Sequence, residues 1–469
     1  LIFPLLVSRK NFEETKLSCE LSSNLGPNKL NGLVETVESL LEEAKRQGAS
    51  AAEAGLSVER GLSVTARLGE VETIEHHKDQ GLGVTVYFGQ RKGSASTTDL
   101  GFNAVKETVS AACRIASYAT EDSCAGLPDA ERLATEFLDL DLDHPWELSA
   151  DDAVDLAIEC ESAAREFHPD IKNSEGASVD THQGIRVLGN SLGFVHGIPS
   201  TRHSLVCAVL GERGDSMQRD YWYTVARRHD RLESANDVGK KSAERTLRRL
   251  QATSLSTRQC PVIYSAEVAS GLIGHFIAAI RGSSLYRKSS FLQDKLGQQL
   301  FPSSIRIHEQ PHIKGALGSA CYDSEGVACE ARDIIRDGVL QSYVLSTYSA
   351  RKLGLETTGN AGGVHNLSVD STGSDQAALL KEMGTGLLIT ELMGQGINIV
   401  TGDYSRGAAG FWVENGEVQY PVEEITVAGN LLDMYSNIAA VGNDVDLRSN
   451  TRTGSILVEE MTVAGGEVG

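Results

Sequence analysis

Gly189-Asn190-Ser191-Leu192-Gly193 fits the G-x-S-x-G pattern of a hydrolase nucleophile elbow, and His196 and His203 follow a few residues later. An elbow needs a strand, a strained turn and then a helix to expose the serine hydroxyl. Here residues 184–188 and 193–198 both read as strands, so Asn190-Ser191 is expected to be a hairpin turn. Gly354 to Gly359 has Walker-type spacing, but Asn360 stands where the phosphate-binding lysine belongs and no Ser or Thr follows. Gly384-Thr385-Gly386 and Gly394-Gln395-Gly396 each lack the third glycine of a dinucleotide fingerprint. Turns or close backbone packing account better for both.

His275 falls on the apolar side of a helix expected over residues 266–281, in line with Val268, Leu272, Phe276 and Ala279. A metal-binding helix carries a second ligand one turn away, yet position 271 is glycine and 279 is alanine. An interior histidine is the simpler reading. The densest polar, glycine-rich cluster is Thr401-Gly402-Asp403-Tyr404-Ser405-Arg406-Gly407-Ala408-Ala409-Gly410, leading into a hairpin with Asn415-Gly416 at its turn. A strand so poor in bulky side chains admits either another extended chain or close packing on the protein's own core.

The elements that must position these residues follow from pattern. Of 469 residues, 64 are acidic and 43 basic, a formal charge of −21 that disfavours nucleic acid and anionic membranes as partners. Eight scattered cysteines without a C-x-x-C pair fit neither a disulfide framework nor a zinc ribbon, which implies a reducing, cytoplasmic setting. Residues 1–32 open with seven apolar residues interrupted by Pro4, too short for a signal or a membrane span, and read as a poorly ordered leader. Met383 to Gly402 carries Glu391 and five glycines, so no transmembrane helix is expected.

Helical spacing over 34–47 and 103–118 brackets strand-like segments at 56–59, 62–67, 71–75 and 82–88, most of them separated by glycine-containing turns such as that at Gly61, giving an N-terminal α/β domain over 33–134. Residues 135–155 are acidic and read as a solvated linker. They lead through a capping box at Ser149 and Asp152 into a helix, strands from Ile171 and a basic helix near 236–250, a middle domain over 135–255. Residues 256–469 form a larger C-terminal domain with mainly antiparallel strands. Of the 47 glycines, 23 lie between 310 and 469. The class is α+β.

Glu391-Leu392-Met393-Gly394-Gln395-Gly396, the run from Thr401 to Glu417, and Ile425-Thr426-Val427-Ala428-Gly429-Asn430-Leu431 resemble the PmbA (TldE) branch of the TldD/PmbA proteins. So do Tyr286-Arg287-Lys288-Ser289 and Ser349-Ala350-Arg351-Lys352-Leu353-Gly354. The resemblance covers about residues 34–466. It implies a cytoplasmic, peptide-processing metalloprotease of two related subunits. In the TldD branch an H-E-x-x-x-H helix and a distant cysteine hold the metal. Carried across by position, the first histidine is Ser270, the glutamate is Gly271 and the cysteine falls at Val441, leaving His275 alone. One ligand and no general base do not make a catalytic zinc site.

The expectation is therefore a metal-free subunit with zinc in a TldD-type partner, paired as a heterodimer, with homodimerisation the other arrangement. Unfolded peptides would dock along Thr401, Gly402, Asp403, Tyr404, Ser405 and Arg406. Two other readings stay open. One is a peptidase active by itself through His275 with Asp323, Glu325 or Asp403. The other is a non-enzymatic protein- or RNA-binding regulator using a basic patch at Arg227, Arg228 and Arg231.

Overall fold

In the computed structural model of the chain, which describes residues 25–466, helix α1 (Pro27–Arg46) leads into strands β1 (Ala51–Arg67), β2 (Glu70–Phe88) and β3 (Arg91–Thr97). The helix starts seven residues before the expected position, so residues 25–32 are not a disordered leader. Leu25 is buried and Leu30 packs with the core. The rest of the expected leader lies outside the described residues. Gly26 gives α1 no side-chain cap, at a cost of a few tenths of a kcal/mol. Burial of Leu33, Val37 and Leu40, each worth about 1.5–3 kcal/mol, outweighs it.

The expected short strands are continuous ribbons. In β1 the even-numbered residues Ala52, Ala54, Leu56, Val58, Leu62, Val64 and Ala66 are all buried, a period-2 pattern that persists across Gly61. Gly61 is no turn. A Cβ there would stand 2.2 Å from the His77 ring and 2.3 Å from the Thr181 carbonyl oxygen, so the neighbouring strands leave room for hydrogen only.

Helix α2 (Phe102–Tyr118) and helix α3 (Ala150–Arg165) come before strands β4 (Ile171–Asn190), β5 (Val195–Arg213) and β6 (Ser216–Ala226), and helix α4 (Ala235–Arg248) follows them. The six strands form one antiparallel sheet in the order β3-β2-β1-β4-β5-β6, shared by the regions read as N-terminal and middle domains. All four helices cover the apolar face, α1 and α2 over one end and α3 and α4 over the other. The Asp152 N–H donates to Ser149 Oγ at 3.1 Å, which caps α3 as the sequence suggested. The acidic stretch before α3 is a packed strap, not a free linker: Ala134 and Leu140 are buried against Phe194, Cys321 and Tyr322, Glu136 and Asp139 are exposed, and Asp143 keeps Oδ1 out of solvent.

The C-terminal region runs β7 (Arg258–Tyr264), α5 (Ala266–Ile280), α6 (Gly282–Tyr286), β8 (Ile307–Glu309), β9 (Arg332–Arg336), β10 (Val339–Leu340), α7 (Thr347–Leu353), β11 (Leu367–Val369) and α8 (Gln376–Met383). It continues with β12 (Gly386–Met393), β13 (Asp403–Glu414), β14 (Glu417–Asn430), α9 (Leu431–Ser436), β15 (Ile438–Val441), β16 (Thr451–Arg452) and β17 (Ile456–Ala464). One sheet has the order β14-β13-β12-β7-β17-β15, and β14 also pairs with β17, so its first five strands close into a ring. Only β7 and β12 run parallel in that sheet. Side chains from all five ring strands meet α5 in the largest apolar core, where Phe276, Phe301 and Tyr435 pack within 5.7 Å of one another. Asn415 and Gly416 both have positive φ (53° and 77°), as the β13–β14 type I′ turn requires.

Candidate functional site

On α5, Ser270 is committed locally: its Oγ donates to the Glu267 carbonyl at 3.3 Å. Gly271 has open space where a Cβ would point. His275 turns its buried Nε2 toward β13 without a hydrogen-bond partner, and its ring meets Tyr404 edge-on at 6.1 Å. Tyr404, 2% exposed, makes no well-formed hydrogen bond through its hydroxyl, although Tyr264 and Arg406 are its polar neighbours. Arg406 donates from Nη2 to the Leu392 carbonyl at 3.3 Å and leaves Nε unpartnered. Burial, then the positive Arg406, hold the His275 imidazole below its ordinary range and so neutral at pH 7.

This arrangement does not fit a metal. A catalytic zinc takes three protein ligands at about 2 Å, and here one imidazole stands beside a guanidinium. Val441 is fully buried in β15. Among the described residues, no three His, Cys, Asp or Glu side chains gather into a possible ligand set. The alternative partners of His275 are occupied elsewhere. Asp323 accepts the backbone N–H groups of Glu325, Val327 and Ala361, Glu325 accepts that of Thr347, and Asp403 accepts from Thr401 Oγ1. A self-sufficient site built on His275 and these carboxylates is not assembled.

The proposed docking edge needs correction. Strand β13 pairs with β14 from Asp403 onward, and its other edge is taken at 407–413 by β12. Over 403–406 that second edge is filled by the chain itself: Ser405 N–H donates to the Gly396 carbonyl at 2.7 Å, Asn398 N–H to the Asp403 carbonyl at 2.9 Å, and Ile397 bridges Tyr404. Thr401, Gly402, Asp403, Tyr404, Ser405 and Arg406 therefore offer no free strand edge. Small residues here serve self-packing, since a Cβ at Gly396 would lie 1.8 Å from the Ser405 carbonyl oxygen.

The serine elbow is a hairpin: β4 ends at Asn190, β5 begins at Val195, and Ser191 Oγ accepts the Ala52 N–H at 3.0 Å. His196 stacks on Phe137 with centroids 3.7 Å apart, and His203 Nε2 lies 3.0 Å from the His144 carbonyl oxygen. Neither serves that serine. The basic patch is also dispersed. Arg228 pairs with Asp230 at 2.7 Å, while Arg227 turns inward onto the carbonyls of Thr201 and Leu317.

Sequence reasoning missed a cavity of about 1880 Å³ between the helix-free face of the first sheet and the C-terminal region. Its wall comes from the polar half of the period-2 pattern, including Asp180, His182, Arg186 and Arg202. It is completed by C-terminal residues such as Asp323 and His365. The alternating polar run in β4 and β5 was the available signal. On the cavity wall His365 is anchored by Glu309, 2% exposed, whose Oε1 accepts the His365 N–H at 2.5 Å and lies 3.1 Å from Nδ1. Asn360 Nδ2 donates to both oxygens of the same carboxylate at 2.8 and 3.1 Å.

A helix-backed antiparallel sheet joined to a C-terminal sheet that closes on itself is a scaffold of the metallopeptidase type, as the matching domain models show. The models of the PmbA/TldA metallopeptidase domain 1, central domain and C-terminal domain match residues 52–116, 143–250 and 257–465, so the chain belongs to this family, in its PmbA (TldE) branch. It is 52% identical over 433 residues to Metalloprotease PmbA of Escherichia coli O157:H7, covering 92% of this chain and 96% of that one. It is 49% identical over 435 residues to the Metalloprotease PmbA homolog of Haemophilus influenzae, covering 92% and 96%. Among solved structures, TldE from Thermococcus kodakarensis superposes with a TM-score of 0.81 at 19% identity, covering 92% of this chain and 100% of that one, a likeness of fold. No helix among the described residues is long and apolar enough to cross a membrane.

Proposed function

We propose that this chain is the metal-free, non-catalytic subunit of a cytoplasmic metalloprotease assembly that processes unfolded peptides, with the zinc and general base carried by a TldD-type partner. The observation that carries the reading is on α5, where the positions that the resemblance aligns with the related branch's ligands and base hold Ser270, Gly271 and His275, and no ligand set gathers around that histidine among the described residues. Arg406 beside it opposes a cation further. The seven described cysteines are all free, in keeping with a reducing compartment.

The test is to purify the chain alone, titrate it with zinc and assay hydrolysis of an unstructured peptide, then repeat the assay after adding a chain with an intact H-E-x-x-x-H helix. Hydrolysis is expected only in the mixture, together with a stable complex of the two chains. Stoichiometric zinc and steady turnover by the isolated chain would sink the reading.

A further inference from the structure

Arg227 is a cation enclosed without an anion. It follows β6 directly, and its guanidinium is fixed by two donations to backbone carbonyls, Nη1 to Thr201 at 3.0 Å and Nη2 to Leu317 at 2.7 Å. Its Nε is hidden from solvent and has no acceptor. Among the described residues Arg227 forms no ion pair, and the charges that act on it are those of Arg202 and Arg186, of the same sign. Burial and these two neighbours weaken its hold on its proton. A half-buried charge held without a counter-charge carries a desolvation cost that no ion pair offsets.

All three arginines stand on the wall of the 1880 Å³ cavity. The wall also carries the carboxylates Glu59, Asp180 and Asp323, but each is engaged elsewhere. Glu59 lies 3.1 Å from His182 Nε2 and 3.5 Å from Arg186. Asp180 accepts from Ser63 Oγ at 2.6 Å, and Asp323 accepts three backbone N–H groups. Arg202 is exposed to the cavity and, among the described residues, has no ion pair of its own. The cavity therefore holds two guanidinium groups that no carboxylate among the described residues contacts directly, inside a protein of net charge −21. That overall charge repels a polyanion, whereas one carboxylate on an otherwise neutral chain meets only the local field. The volume exceeds the roughly 300–1,000 Å³ of sites for drug-sized ligands and admits several residues of extended peptide.

We infer that Arg227 and Arg202 form a carboxylate clamp on the cavity wall that takes a single carboxylate, terminal or side-chain, of an extended peptide. The inference rests on the peptide reading above for the kind of ligand, and on the arginines for its charge. Guanidinium suits the task because its planar donors match a carboxylate two at a time.

The full chain is tested by fluorescence anisotropy with three labelled, unstructured Gly/Ser/Ala peptides: one with a free C-terminal carboxylate, its C-terminal amide, and an amide carrying one central Glu. The free-acid peptide is expected to bind, and amidation to weaken it about tenfold. Arg202→Gln is expected to weaken the free-acid peptide by a similar factor and leave the amide unchanged. Arg227→Gln should do the same, with thermal melting to verify its fold. Arg202 makes no side-chain hydrogen bond or ion pair among the described residues, so its variant keeps the test valid if Arg227→Gln is unstable. Recovery of tight binding by the Glu peptide identifies a side-chain carboxylate as the source, and no recovery identifies the C-terminus. If acid and amide bind alike and neither variant changes affinity, the clamp is refuted while peptide docking survives. If no peptide binds, the clamp is refuted, while the assembly reading stands or falls on the hydrolysis assay of the two-chain mixture.

Discussion

The His275 ring meets the Tyr404 ring edge-on, 6.1 Å between centroids at 60°, and so joins helix α5 to the strand edge that the chain fills itself. Burial, assisted by Arg406, keeps this imidazole neutral. As pH falls through about 6.5 the unfolded chain takes up a proton at this residue before the folded chain does. The unfolded state then binds more protons, so the contribution of His275 is complete above that pH and lost on acidification. His275→Gln is expected to lose less stability than the wild type between pH 7 and pH 5, as read from urea midpoints at the two values. An equal loss in both proteins would contradict the neutral, enclosed imidazole.

Asp323 has the opposite sign. Its carboxyl is buried on the cavity wall, and burial pushes it up to about 6 against the pull of its backbone hydrogen bonds. The unfolded value is about 3.9, so between these two values the folded state binds more protons. The contribution is present below that window and is lost as pH rises through about 6, a change of roughly 2–3 kcal/mol at most. Asp323→Asn removes the buried charge but spoils the acceptor that meets the Ala361 N–H. The variant should be less stable than wild type at pH 5 and close to it at pH 8, with a flatter stability profile in between. A carboxyl titration followed by NMR that centres near 4 would rule this out.

Glu309, behind the cavity wall, holds the 360–365 segment through His365 and Asn360 and lies 3.7 Å from the guanidinium of Arg332. Truncation to Ala leaves buried donors unpaired, which costs about 3–5 kcal/mol. Glu309→Gln keeps one acceptor oxygen and should cost roughly half as much. Denaturant unfolding of the two variants checks the ranking. A Glu309→Ala loss below about 1 kcal/mol would mean that water replaces the carboxylate without penalty.

Local rules written in consecutive residues were legible in the sequence. The apolar-polar alternation of β1, the cap at Ser149, the Asn415-Gly416 turn and the inward face of α5 all follow from spacing within one element. Residues 401–406 were misread because poverty of side chains says that something approaches closely, not what does. Here the partner is the chain's own segment at 396–398. Gly61 was read as a turn because a glycine required by a close neighbour looks the same as one required by positive φ. Contacts across long separations, such as Glu309 with His365 or the closure of β14 on β17, depend on topology that no local pattern carries.

Two glycines that look alike in sequence separate these cases. Gly410 in β13 faces β12 so closely that a Cβ would lie 1.9 Å from the Leu388 carbonyl oxygen and 2.9 Å from Ile389 Cα. The obstacle is backbone, so it cannot rotate away, and relief requires parting two central strands beneath the core. Gly410→Ala is expected to cost at least about 3 kcal/mol, in the range of overpacking and broken pairing together. Gly271, on helix α5, has nothing within 4 Å and an ordinary helical backbone. Gly271→Ala should stabilise the chain by about 0.5–1 kcal/mol through helix propensity alone. Thermal or urea unfolding of the two variants should thus move in opposite directions. Destabilisation by Gly271→Ala would reveal a close neighbour at that face of α5, such as a partner subunit seated on the helix.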